Sequence, residues 1–187
     1  MSRARPGPQE KTWNNSYADG IEGSRFLINT DIGLGILPYK MSVPPISVSV
    51  EYMFDKAPIS IGGYSGVTVY NEDIAYINYK ASMVGLGVKG SWHFNFGVNN
   101  LDTYVGLVLG LLAYTQNVTT SIPGTPAIPP YVSATPDTTI TAEYNLSTLL
   151  YGFIVGARYF FTNNLGAYFE LGYSAVSIAS IGLAVKF

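Results

Sequence analysis

The sequence predicts an all-β chain: an eight-stranded antiparallel up-and-down transmembrane β-barrel with a polar interior filled by side chains. Three observations predict it. Apolar and polar residues alternate with a period of two in eight successive segments. The composition supplies more apolar surface than a soluble exterior uses. Every charge lying well inside a segment falls on the same predicted face.

Of the 187 residues only 12% are charged, whereas 14% are aromatic, 15 of them Tyr, and mean hydropathy is +0.22. A soluble domain carries roughly 25% charge. No window offers about 18 consecutive apolar residues, so a spanning helix is excluded. Only helices and closed barrels satisfy their backbone in lipid, which leaves the barrel. A net charge of −2 without a basic run argues against nucleic acid as a partner. The absence of Cys removes disulfides, thiolate metal sites and Cys nucleophiles.

Residues 1–22 hold Pro6, Pro8, Asn14, Asn15, Asp19 and Gly20 with no sustained period. They read as a flexible polar N-terminal tail on the periplasmic side, and 23–187 as the barrel. Residues 1–23 contain no apolar core of a signal peptide, so an exported chain is expected to be a mature form without its leader.

The strands are expected near 25–37, 45–54, 59–70, 78–96, 102–116, 143–161, 165–174 and 176–187. Asp55-Lys-Ala-Pro58, Gly97-Val-Asn-Asn-Leu101 and Thr162-Asn-Asn164 are tight polar turns. On the opposite side 38–44, 71–77 and the Pro-rich 117–142 read as longer loops, and only the hairpin near Ser174-Ala175 is short. Short turns at one end and long loops at the other are the asymmetry of an outer-membrane barrel, with both termini on the periplasmic side.

Facing the apolar set of each strand toward lipid tests the idea. Phe26, Ile28, Ile32, Leu34 and Ile36 point out from the first strand, leaving Asn29 and Asp31 inside. Ile46, Val48, Val50, Tyr52 and Phe54 point out from the second, leaving Glu51. Val84, Leu86, Val88, Trp92 and Phe94 leave Lys89 and His93, and Val105, Leu107, Leu109 and Leu111 continue the outer face. Phe153, Val155, Tyr159 and Phe161 leave Arg158, and Phe169, Leu171 and Tyr173 leave Glu170. Lys186 closes the inner set from the last strand. A lipid-facing Arg or Lys costs roughly 2–4 kcal/mol at the midplane, which explains the segregation. Tyr52, Phe54, Trp92, Phe94, Tyr159, Phe161 and Phe187 gather near the short turns, as interfacial aromatics do.

Inside, Asp31, Glu51 and Glu170 balance Lys89, Arg158 and Lys186, with His93 beside them. Buried charges need partners. The expectation is a structural ion network filling the lumen, completed by Tyr64, Tyr70, Tyr104, Tyr114 and Tyr168, with glycines such as Gly66 and Gly156 making room. Ser91 and His93 share a face and, with Glu51 or Glu170, sketch a hydrolase triad. Side chains two residues apart along a strand are too far apart for a dependable Ser–His bond, so no catalytic residue is assigned. One His with no second ligand at a recognised spacing supports no metal site, and no cofactor is expected.

Gly156-Ala-Arg-Tyr-Phe-Phe-Thr-Asn-Asn-Leu-Gly-Ala-Tyr-Phe-Glu-Leu-Gly-Tyr173 and Ser180-Ile-Gly-Leu-Ala-Val-Lys-Phe187 resemble the last two hairpins of small bacterial outer-membrane β-barrel proteins. Gly87-Val-Lys-Gly-Ser-Trp-His-Phe-Asn-Phe96 and Tyr104-Val-Gly-Leu-Val-Leu-Gly110 resemble their central hairpin. The resemblance covers 25–187. It implies an outer-membrane location with lipid around the barrel, and that Phe187 is read by the barrel-assembly machinery. The group hosts adhesins, anchors, narrow pores and some lipid-modifying enzymes. The His-before-Ser order of its lipid A deacylases is not matched, because Ser91 precedes His93. The functional expectation is a non-catalytic binding or structural protein working through loops 71–77 and 117–142, which would meet an extracellular or envelope partner. The alternatives are a narrow channel for small solutes, a lipid-acting enzyme, and a soluble lipocalin-like barrel whose apolar face would point inward.

Overall fold

A computed structural model describes residues 25–37, 40–54, 57–126, 135–174 and 176–187. The predicted 1–22 tail lies outside them. Eight strands form one closed antiparallel barrel in sequence order: β1 (Phe26–Gly35), β2 (Met41–Met53), β3 (Ile59–Ile74), β4 (Ile77–Phe94), β5 (Leu101–Ile122), β6 (Thr138–Phe160), β7 (Leu165–Ser174) and β8 (Ser177–Lys186). No described helix is long and apolar enough to cross a membrane. β1 closes on β8, from Leu27 opposite Lys186 to Gly35 opposite Ser177. Arg25 N–H donates to the Phe187 carbonyl at 2.8 Å, so these two residues meet at the short-turn end.

Partners followed round the wall from Leu34 run through Ala179, Leu171, Val155, Val105, Trp92 and Ile59. Beyond Ile59 the path returns to β1 about ten residues lower, a stagger that tilts the strands by roughly 40–45°. On β4 the outward side chains Val84, Leu86, Val88, Trp92 and Phe94 are all exposed. That run of about 33 Å along the strand stands roughly 24 Å tall when tilted, the height of a hydrocarbon belt. Its lower edge carries aromatics. Phe26 packs edge-on against Tyr52, and Tyr52 against Phe54, each pair at 5.4 Å.

The alternation holds along the wall, with one correction. Ile36, expected to face lipid, packs with Leu37 against the buried cluster at the upper end of the lumen. The register of β1 against β8 shifts between Leu34 and Gly35, and that irregularity turns the following residues inward.

A larger correction concerns the loops. Residues 71–74 and 77 belong to β3 and β4, which meet in a turn of only Ala75 and Tyr76. Ala75 takes the left-handed conformation, φ 51°, that such a two-residue connection requires. Residues 117–122 and 138–142 are likewise paired strand, Ile122 lying opposite Thr138. The two ends of the barrel therefore differ through strand length more than loop length. β5 and β6 contain 22 and 23 residues, whereas β1, β7 and β8 contain 10 each. One side of the wall rises past the belt as a sheet of β3, β4, β5 and β6.

Candidate functional site

The lumen is built in three layers. At the short-turn end Leu27, Met53, Phe160, Tyr168 and Ala184 form an apolar floor. The Lys186 ammonium lies 4.5 Å from the centre of the Phe160 ring. At the opposite end Tyr64, Tyr70, Ala81, Met83, Val108, Leu112, Leu150 and Val176 form a second apolar layer, with Tyr114 half-buried against it. Gly66 and Gly156 keep space for rings. A methyl on Gly156 would sit 2.4 Å from the Tyr104 ring, and one on Gly66 would sit 2.8 Å from the Tyr64 hydroxyl.

Between these layers lies a charged core. Glu51 is fully buried, and its Oε1 accepts from Arg158 Nη2 at 2.9 Å and from Asn29 Nδ2 at 2.9 Å. Its Oε2 accepts from Ser60 at 2.6 Å and Ser91 at 3.1 Å. Arg158 Nη1 donates to Asp102 Oδ2 at 2.9 Å, and the guanidinium lies over the Tyr104 ring at 3.9 Å. Lys89 donates to Glu170 at 2.6 Å and stands 3.5 Å from Glu51. Tyr104 donates its hydroxyl to the same Glu170 oxygen at 2.5 Å. Asp31 accepts from Ser47 at 2.6 Å and Tyr168 at 2.5 Å. One side chain from nearly every strand thus ties the wall together across the lumen.

All seven expected network residues, Asp31, Glu51, Lys89, His93, Arg158, Glu170 and Lys186, are buried inside. Asp102 is the member sequence reasoning missed. It lies one residue past a turn, yet it shares the inward parity of Tyr104 and Val108, and that signal was present in the sequence.

His93 differs from the sequence sketch. Ser91 donates to Glu51, while His93 Nε2 lies 3.0 Å from Ser60 Oγ and Nδ1 lies 2.7 Å from Asp102. Ser60, His93 and Asp102 therefore have the spacing of a hydrolase triad. Ser60 is nevertheless 0% exposed, its hydroxyl is committed to Glu51, and its strand neighbour Met53 belongs to the apolar floor. The three residues link the charged core to the base of the barrel. Among the described residues no cluster of His, Asp or Glu has the arrangement of a metal site.

The second feature is the raised sheet. On its outer side the apolar belt ends at Val84, Leu111 and Leu149, and polar residues follow: Ser82 on β4, Thr115 and Asn117 on β5, Asn145 and Ser147 on β6. On its inner side Ile122, Ile140, Tyr144 and Leu146 are exposed, Tyr144 by 74%. Hydrophobic character has changed faces above the rim.

A closed eight-stranded wall, apolar outside and charged within, defines a small transmembrane β-barrel. No protein-family model matches the chain, and no curated protein matches it. Among solved structures it is similar to Ail, the attachment invasion locus protein of Yersinia pestis, at 12% identity and TM-score 0.47, covering 87% of this chain and 96% of that one. It is also similar to the N-terminal β-barrel domain of Pseudomonas aeruginosa OprF, at 16% identity and TM-score 0.46, covering 88% and 98%.

Proposed function

We propose that this chain is a bacterial outer-membrane protein with a non-catalytic binding or structural role, a closed barrel that holds the β3–β6 sheet outside the membrane. The short turns and both termini then lie on the periplasmic side. The uneven height of the wall carries this reading: strands of 22 and 23 residues stand beside strands of 10. Spanning the belt needs only about 9–11 residues per strand, so the surplus is built for something above the lipid.

The lumen supports an anchor rather than a passage. Arg158, Glu51, Asp102, Lys89 and Glu170 bond one another across it between two apolar layers. The partner would be an extracellular or envelope protein meeting the chain within 71–77 and 117–142.

Two measurements test the reading. In planar bilayers the purified barrel is expected to stay at background conductance, and steady single-channel steps would replace the anchor with a narrow pore. In intact cells a photo-crosslinker at Tyr144 is expected to yield one recurrent protein adduct that the same probe at Leu107 on the belt does not. The same adduct pattern from both positions would overturn a role for the raised sheet.

A further inference from the structure

The two sides of the raised sheet are finished differently. On the β3 side the strand ends soon above the rim. Asn71 N–H donates to the Lys40 carbonyl at 2.9 Å, and the short remainder carries Glu72 and Asp73. Shortness and charge are standard protections of a sheet edge. On the β6 side β7 pairs only from Phe160 opposite Gly166 to Phe153 opposite Tyr173. Above that point residues 138–151 have β5 on one flank and no described residue hydrogen-bonded to the other.

This edge is about 45 Å long at 3.3 Å per residue. It has no proline and no Lys or Arg, and its single charge is Glu143. Its register against β5 is unbroken from Leu101–Tyr159 to Ile122–Thr138, so no bulge twists it away. Among the described residues this edge lacks the shortness, proline, basic side chains and bulges that blunt a sheet edge, whereas shortness and charge protect the other side of the same sheet.

We propose that the β6 edge above the belt, residues 138–148, is a strand-addition site for an extended segment of a partner protein. The proposal rests on the reading of the raised sheet as the working part of the molecule, and it names the partner's chemistry. Main-chain hydrogen bonds supply the affinity, and alternate side chains supply the choice. The incoming strand runs antiparallel to β6. Its inward side chains are apolar, to cover Ile140, Tyr144 and Leu146. Its outward ones are polar, beside Thr141, Asn145 and Ser147, with a Lys or Arg opposite Glu143. A second copy of this chain fits less well. Copies inserted in one membrane point the same way, so two β6 edges meet parallel, the weaker pairing.

The test uses the whole chain in lipid nanodiscs and a nine-residue synthetic peptide alternating valine with threonine or lysine. Hydrogen exchange is followed amide by amide over 138–148. Every second amide there lacks a β5 partner, and these are expected to exchange at least about tenfold more slowly once peptide is bound. Pro is then placed in turn at Asn145 and Leu146, because successive N–H groups point to opposite flanks. The variant that keeps its β5-bonded amides protected has lost only an edge donor, and it is expected to lose peptide binding. Peptide binding without new protection, or no binding at millimolar peptide, overturns strand addition. Edge protection that appears without peptide and fades on dilution marks self-pairing and overturns the choice of occupant. None of these outcomes touches the anchor reading, which stands or falls on conductance and crosslinking.

Discussion

At the scale of single residues, Arg158 is the centre of the molecule. It is fully buried, bonds Glu51 and Asp102 with separate nitrogens, and rests on Tyr104. Arg158→Ala leaves two buried carboxylates short of a partner and is expected to cost about 3–5 kcal/mol. Ser60→Ala removes one hydroxyl between Glu51 and His93, a loss of about 1–3 kcal/mol. Urea titration of refolded barrel in lipid vesicles measures both, and equal losses for the two variants would show that the guanidinium is not the organising group. Sequence parity placed Arg158 and Glu51 inside the barrel. It carried no information on which acid meets which base, because those pairs join residues as far apart as 51 and 158. The Ser60–His93 contact was illegible for the same reason: Ser60 lies 33 positions from His93 and is the second residue of a strand whose neighbours look unremarkable.

At the scale of elements, the same two-residue alternation means different things at different heights. Within the belt, outward residues of β5 such as Leu107, Leu109 and Leu111 meet lipid. Above it, Asn117 on the same face meets water. Leu109→Arg is therefore expected to cost about 2–4 kcal/mol in bilayers, and Asn117→Arg within about 0.5 kcal/mol of nothing. A comparable penalty at both positions would remove the belt boundary drawn near Leu111. This change of environment also explains why 71–77 and 117–142 read as loops. Alternation in a sequence records one buried or lipid-covered face, and residues 138–149 of β6 are exposed on both. They are strand because β5 pairs with them, a cause that lies in a neighbour rather than in their own pattern. Pro44 and Pro45 hid the start of β2 similarly, since they sit where its register against β3 is irregular.

At the scale of the whole molecule, barrel and raised sheet are separable in energy. The inward-tying contacts all lie below the rim, whereas residues 138–149 bury little. Joining Gln116 to Tyr144 through an Asn-Gly turn, in place of 117–143, is expected to leave the urea midpoint of the barrel unchanged and to abolish any binding at the β6 edge. A barrel that fails to fold without this segment would make the sheet part of its stability rather than a display. The order of assembly follows from the same uneven wall. The β5–β6 hairpin joins neighbours in the chain and is the longest pairing, while closure matches Leu27 with Lys186 across nearly the full sequence. Local pairings cost the least loop entropy, so hairpins between neighbouring strands form before the β1–β8 seam, which closes last. The edges of β1 and β8 stay open for most of folding; insertion ends when these two annihilate each other, and the long unpaired flank that remains among the described residues is that of β6, outside the lipid.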